Sequence, residues 1–193
     1  DAGDQAGAVW EAGLGDVQTA VAAAANANRY HVTPEELAGL LDNFAGLLEA
    51  HRDELMRLAV REAGKTMSAA IAEVREAADF CRYYAAIARK LLGQPEVMPG
   101  PTGESNELHL HGRGVFVCIS PWNFPLAIFT GEVVAALAAG NVVLAKPAEQ
   151  TTLIAHFAVR LMHEAGVPRN VLQLLPGAGD VGAALRKTRA STA

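Results

Sequence analysis

The sequence predicts an α/β fold with helices packed on a parallel sheet, on three observations. Residues 16–92 carry apolar side chains at helical spacing. Three short apolar runs follow, at residues 115–119, 141–145 and 171–175. Each run leads into a segment of helical character. Strand, helix, strand, helix, strand, helix at this spacing implies right-handed crossovers, and so a parallel sheet.

Composition sets the outer bounds. The chain has 193 residues, a little over one domain at about 150 residues per domain. Hydrophobic residues make up 51% and charged residues 19%, ample for a core and unlike a disordered chain. Two cysteines exclude a disulfide scaffold. Every apolar run is cut well short of the ~18 residues a membrane span needs. The chain opens on Asp1 with no basic segment leading into an apolar one, so no export leader is visible. The expectation is a cytoplasmic protein in a reducing compartment. Residues 1–113 hold 10 basic and 17 acidic side chains, and residues 114–193 hold 6 and 4. Neither half has the dense basic patch that grips phosphodiester backbones, so nucleic acid is not an expected partner of this segment. The asymmetry points to parts with different tasks.

Taken in order, Ala-rich residues 16–28 form a first helix. Thr33-Pro34-Glu35-Glu36 starts a second: Thr33 caps, Pro34 suits the first turn and Glu36 completes a capping box. Leu37, Leu40, Leu41, Phe44, Leu47 and Leu48 then form one stripe. Residues 53–63 form a third helix, ended by Gly64. A fourth runs from about Thr66 to Leu92, with a stripe of Ile71, Val74, Ala78, Cys81, Tyr84 or Ala85, Ala88 and Leu91. Gly93 and Pro95 end it. Residues 93–103, rich in Pro and Gly, read as a loop. Glu107-Leu108-His109-Leu110-His111 alternates as a half-exposed strand, and Gly112-Arg113-Gly114 breaks it. Residues 115–119 are too short for a helix and fit a strand buried on both faces. A helix over 132–139 ends at Gly140. A strand over 141–145 precedes a helix over 153–165. A strand over 171–175 precedes a helix over 177–185. The expected organisation is a helical part at 1–93, a linker with one strand at 94–114, and a βαβαβα unit at 115–193.

Ligands bind beyond the carboxyl ends of such strands. Three segments lie there. Gly177-Ala178-Gly179-Asp180-Val181-Gly182 is a G-x-G-x-x-G between strand and helix, which can cradle a pyrophosphate or serve turn geometry alone. Lys146 and Glu149 can hold a ribose or sit on a solvated turn. Pro121-Trp122-Asn123-Phe124-Pro125 fences an amide between two prolines, either to fix a donor for an oxyanion or as a rigid apolar corner. Cys81 and Cys118 read as packed thiols rather than nucleophiles. His109 and His111 share one strand face, but no further ligand set accompanies them, so no metal is expected. Arg61-Glu62 and Lys65-Thr66 flank the break at Gly64 with no role visible from spacing.

Several of these stretches resemble the aldehyde dehydrogenase superfamily in order and spacing. They are Ile119-Ser120-Pro121-Trp122-Asn123-Phe124-Pro125, Ala139-Gly140-Asn141, Lys146-Pro147-Ala148-Glu149-Gln150-Thr151 and Glu164-Ala165-Gly166-Val167-Pro168. Residues 60–66, 73–84 and 100–106 resemble one branch, the L-glutamate γ-semialdehyde (Δ1-pyrroline-5-carboxylate) dehydrogenase module of bifunctional proline-utilisation proteins. The resemblance covers roughly residues 14–185. It implies helices packed on the first half of a Rossmann-like sheet and oxidation of an aldehyde with NAD. It implies that Asn123 supplies the side-chain amide of an oxyanion hole. Lys146 and Glu149 would hold the adenosine ribose, with Glu149 favouring NAD over NADP. Ile119, Ser120, Pro121 and Trp122 would line the nicotinamide-ribose side, Gly179 would sit near the adenine half, and Phe124 would face the aldehyde channel. The strand at 107–111 resembles the family's oligomerisation flap, which implies a homo-oligomer, and a proline dehydrogenase domain would lie upstream.

The departures also bear on function. The family's nucleophilic Cys, general-base Glu and second ribose Glu belong to later segments, and none is present. After Leu185 the family's next strand and pyrophosphate turn are replaced by Arg186-Lys187-Thr188-Arg189-Ala190-Ser191-Thr192-Ala193. Thr152 stands where the family usually has Pro. The chain therefore reads as an N-terminal fragment of the dehydrogenase, inactive alone, and the other reading is a non-catalytic structural or pairing module of the same fold. Residues 186–193 are expected to be poorly ordered and the sheet to expose an apolar edge.

Overall fold

The computed structural model describes residues 5–27 and 32–187. Helix α1 covers Leu14–Ala27 and α2 covers Pro34–Ala50. Thr33 starts α2 as its sequence requires. Its hydroxyl accepts the amide of Glu36 at 3.2 Å, and the Glu36 carboxylate accepts the amide of Thr33 at 2.9 Å. Helix α3, Arg52–Ala63, ends where Gly64 takes φ 65°, a left-handed conformation that a residue with a Cβ rarely adopts. Thr66 then caps α4, Met67–Leu92.

The α4 stripe differs from its expected course. Ala70, Val74, Ala77, Ala78, Cys81, Ala85 and Ala88 are buried, whereas Ile71 and Leu91 are 43% and 46% exposed. Small side chains make the buried line because α2, α3 and the later helix Ala127–Ala138 all pack on this helix. Ile71 lies a position off that line, and Leu91 borders a cavity of about 520 Å³ near the end of α4.

Residues 93–114 hold a hairpin rather than one strand. β1, Glu96–Met98, pairs antiparallel with β2, Asn106–Leu108, in the register Val97↔Glu107. The Pro- and Gly-rich residues that suggested a loop are its turn, where the Glu104 amide donates to the Pro101 carbonyl and Gly103 takes φ 92°. His109, Leu110 and His111 lie beyond the strand, so alternation overstated its length.

The parallel sheet has the order β3-β4-β5, from Val115–Ile119, Val142–Lys146 and Leu172–Leu174. Every residue of β4 is buried. β3 is not buried on both faces: Phe116, Val117 and Ile119 are 41%, 38% and 49% exposed, because β3 is an edge strand paired on one side alone. Helix α5, Ala127–Ala138, contacts β3 and β4, and α6, Thr152–Glu164, contacts β5. Helices α2, α3 and α4 stack against α5 and α6. Helix α7, Gly179–Lys187, packs on α1 and β3, while Gln173 Nε2 donates to the Ala20 carbonyl to tie α1 to β5. Arg186 and Lys187 are helical, contrary to the expected disorder from residue 186, because α7 keeps its turns past Leu185. Residues 188–193 lie outside the described residues.

Asn141 joins the linker to this unit. Its Oδ1 accepts the amides of Arg113 and Gly114 at 2.6 and 3.0 Å, and its Nδ2 donates to the Ala136 carbonyl at 3.0 Å.

Candidate active site

Parallel pairing puts three loops side by side at the carboxyl ends of the strands. Ile119 pairs with Lys146 and Ala145 with Leu174. The ladder runs one residue further on each side: Ser120 N donates to Lys146 O at 3.1 Å, and Leu175 N to Ala145 O at 2.8 Å.

The first loop is fixed at both flanks and open between them. Ser120 is buried, and its hydroxyl donates to Glu132 Oε2 at 3.0 Å. Pro121, Trp122, Asn123 and Phe124 are exposed, and Pro125 and Leu126 are buried. Trp122 is 55% and Phe124 40% exposed. The Asn123 amide makes no hydrogen bond among the described residues. The ammonium of Lys65 lies 4.1 Å from the centroid of the Phe124 ring.

Lys146 is buried, and its Nζ donates to the Pro147 carbonyl at 2.9 Å. At Gly182 a Cβ would lie 3.4 Å from Lys146 Cδ and 3.9 Å from Ile119 Cδ1, so α7 closes over both side chains. Ile119, Lys146 and the first turns of α7 thus converge. Gly179 opens α7 with free space where a Cβ would stand. Glu149 is exposed on a single 3-10 turn, Glu149–Thr151, and accepts from Gln150 at 3.3 Å. The Thr152 hydroxyl donates to the carbonyls of Ala148 and Glu149, both at 3.3 Å, bonds a proline could not make.

The aldehyde dehydrogenase family profile matches residues 2–191. The chain belongs to the aldehyde dehydrogenase family. It is 54% identical to bifunctional protein PutA of Klebsiella aerogenes over 94% of this chain and 13% of that protein. It is 44% identical to 1-pyrroline-5-carboxylate dehydrogenase of Anoxybacillus flavithermus over 77% of this chain and 29% of that protein. A crystal structure of bifunctional proline utilization A (PutA) protein superposes with a TM-score of 0.91 at 53% identity, covering 94% of this chain and 19% of that one. The chain thus spans only a small part of the length of these relatives.

The fold of this aldehyde dehydrogenase chain explains residues whose roles spacing left blank. Glu62 accepts the amides of Leu153 and Ile154, each at 2.8 Å, and so caps α6 from the end of α3. Glu73, 1% exposed, accepts the amides of Leu126 and Ala127 at 3.1 and 2.9 Å and caps α5 from within α4. The helices after the first two site loops therefore take their N-caps from either side of Gly64. Glu132 is also new; as the one charged residue of α5, set in an apolar helix, it was the most visible of the three in sequence.

Both thiols are packed. Burial pushes Cys81 up to about 12. Burial, then the Glu132 charge, pushes Cys118 up to about 12. His109 and His111 stack at 6.2 Å, with His109 Nε2 3.0 Å from Glu107 Oε2. Among the described residues no three His, Cys, Asp or Glu side chains are grouped to hold a metal ion, and no helix is long and apolar enough to cross a membrane.

Burial raises the Glu132 carboxyl above its ordinary value, and the Ser120 bond only partly opposes this. Burial raises Glu62 similarly. A carboxyl raised on folding binds its proton more tightly in the native state, so its ionisation lowers stability as pH rises through the interval above the ordinary carboxylate value. Glu132→Gln keeps an acceptor for Ser120 and removes that charge. The variant should melt higher than the wild type near pH 7, with the difference vanishing near pH 4. A melting-temperature difference constant from pH 4 to 8 would show that Glu132 ionises as it does in the unfolded chain.

Proposed function

We propose that this chain is part of an NAD-dependent dehydrogenase that oxidises L-glutamate γ-semialdehyde to L-glutamate in proline catabolism. The observation that carries the reading is the Ile119↔Lys146 pair, which sets the Asn123 loop beside the Lys146–Glu149 loop on an aldehyde dehydrogenase fold. The names of the two curated relatives support the substrate. The bifunctional relative supports a fused proline dehydrogenase domain upstream, and the exposed β1–β2 hairpin supports a homo-oligomer. We assign the protein to the cytoplasm and divide the chain at residues 93 and 114.

The residues present fit NAD. Lys146 has two ammonium protons beyond its bond to Pro147, Glu149 is an exposed acceptor, and Gly179 leaves the start of α7 open to close approach. Bound there, NAD supplies the hydride acceptor. Lys146 donates to the adenosine ribose and Glu149 accepts from its hydroxyls. Ile119, Ser120, Pro121 and Trp122 flank the nicotinamide ribose, and Gly179 borders the adenine half. Asn123, with its amide unengaged, donates to the aldehyde oxygen as that oxygen gains negative charge. Phe124 lines the aldehyde side. The thiolate that attacks the carbonyl and the carboxylate that activates water come from later segments of the family.

The test uses a dehydrogenase that joins this chain to those segments, with NADH formation from L-glutamate γ-semialdehyde as readout. Glu149→Ser should move the NAD/NADP preference in kcat/KM toward NADP by roughly tenfold, as a charged hydrogen bond is worth ~1.5 kcal/mol. No turnover of this aldehyde would refute the substrate and favour a non-catalytic module. An unchanged cofactor preference would remove Glu149 from the ribose.

A further inference from the structure

We infer that Lys65 is a positioning residue: its ammonium, anchored on buried Glu73, holds the Phe124 ring and so orders the loop that presents Asn123. The consequence for catalysis rests on the reading of Asn123 above; the ordering itself does not.

Lys65 stands on a rigid base. Gly64 before it takes the left-handed conformation that ends α3, Thr66 after it caps α4, and its own amide donates to the Ala59 carbonyl at 3.4 Å. A lysine side chain is flexible, yet here only 15% of it is exposed and both ends of its reach are occupied. The ammonium lies 2.8 Å from Glu73 Oε1 and 4.1 Å from the Phe124 centroid. Glu73 Oε1 has no hydrogen-bond partner among the described residues, so the ion pair with Lys65 is what balances it. Glu73 Oε2 is committed to the start of α5. One carboxylate therefore sets the beginning of α5 and, through Lys65, the ring three residues before it.

The loop needs that contact. Ser120 is pinned on the upstream side by Glu132 and the Lys146 carbonyl. Between that pin and buried Pro125 stand four exposed residues, and among the described residues no backbone amide from Trp122 to Phe124 is hydrogen-bonded. A ring under a cation is attracted face-on, which fixes its plane as well as its distance. With Phe124 held, the prolines leave Asn123 few conformations. Its amide keeps its donors free because the flanks, rather than bonds of its own, hold it.

The test is ¹⁵N relaxation of the Trp122, Asn123 and Phe124 amides in the 193-residue chain. Wild-type order parameters should be about 0.85 and fall below about 0.6 in Lys65→Met, with those of α5 unchanged. Lys65→Arg should keep the loop ordered, since a guanidinium can pair with Glu73 and stack on the ring. Phe124→Leu, which leaves the ion pair in place, should loosen the loop as Lys65→Met does. The double variant Lys65→Met/Glu73→Gln covers the case in which a buried unpaired carboxylate unfolds the single variant; it should fold with the loop still loose. An ordered loop in any folded chain with no cation at position 65 would overturn the inference, and order regained in the double variant would mean that Lys65 serves only to balance Glu73. The readout needs no catalysis. A loosened loop alongside unaltered turnover in Asn123→Ala of the complete enzyme would sink the oxyanion reading and leave this one standing.

Discussion

The purified 193-residue chain should form no NADH from L-glutamate γ-semialdehyde, and Asn123→Ala in the complete dehydrogenase should lower kcat by about 10²–10³. The first result follows from the two thiols. Aldehyde oxidation of this kind needs a thiolate as nucleophile. With Cys81 and Cys118 each pushed up to about 12, thiolate at pH 8 is on the order of one part in 10⁴. Cys81 is wholly buried on α4, and Cys118 lies inside β3, 7% exposed. Neither offers its sulfur to an aldehyde held by Asn123. The second result follows from charge development. A neutral donor aimed at an oxygen that becomes an anion is worth far more in the transition state than in the ground state, so its loss falls on kcat rather than KM. Two outcomes would overturn this: steady turnover by the chain that disappears with Cys118→Ala, or a complete enzyme indifferent to Asn123→Ala.

Local chemistry made most of the fold legible. The capping box at Thr33, the break at Gly64 and the all-buried run of β4 depend on nearest neighbours and pattern; the first two stand where the sequence puts them, and β4 runs from Val142 to Lys146, one residue later than the expected 141–145. Misreadings arose where a distant residue decides the outcome. α5 begins at Ala127, five residues before the expected start at 132, because its cap is the carboxylate of Glu73, 53 residues away. No residue near 126 announces a cap, since none there provides one. α6 also begins under a distant cap, Glu62, 91 residues before Leu153, yet its start at Thr152 is one residue from the expected 153, because Gln150-Thr151-Thr152 marks a turn there. Val115–Ile119 reads as buried because an apolar run carries no mark of an edge; burial depends on how many strands flank it. In the site, the loops and their candidate residues were legible from motif order. The brace beneath them was not, because Lys65 and Phe124 meet only after α4 has crossed the molecule to lie against α5.

The same dependence on distant caps predicts the most damaging single substitution. Glu73→Ala should destabilise the chain by about 3–5 kcal/mol, the usual cost of removing one partner from a buried ion pair. Three groups lose their partner together. The amides of Leu126 and Ala127 are buried at the start of α5 and have no other acceptor there, and the Lys65 ammonium loses the carboxylate 2.8 Å away. Alanine also leaves a void where α4 packs on α5. A domain of this size is stable by only about 5–15 kcal/mol, so the loss takes a large share. Glu73→Gln should cost less, because its amide oxygen can still accept from α5 while only the charge is lost. Glu62→Ala should cost about 1–2 kcal/mol: it uncaps α6, but Glu62 is only half-buried and forms no ion pair among the described residues, so water can replace it. Denaturant unfolding of the three variants gives the order directly. The midpoint should fall most for Glu73→Ala, with Glu73→Gln between it and the wild type. A Glu73→Ala variant within about 0.5 kcal/mol of the wild type, the range of an ordinary surface change, would mean that α5 finds another cap and that α4 does not set its start.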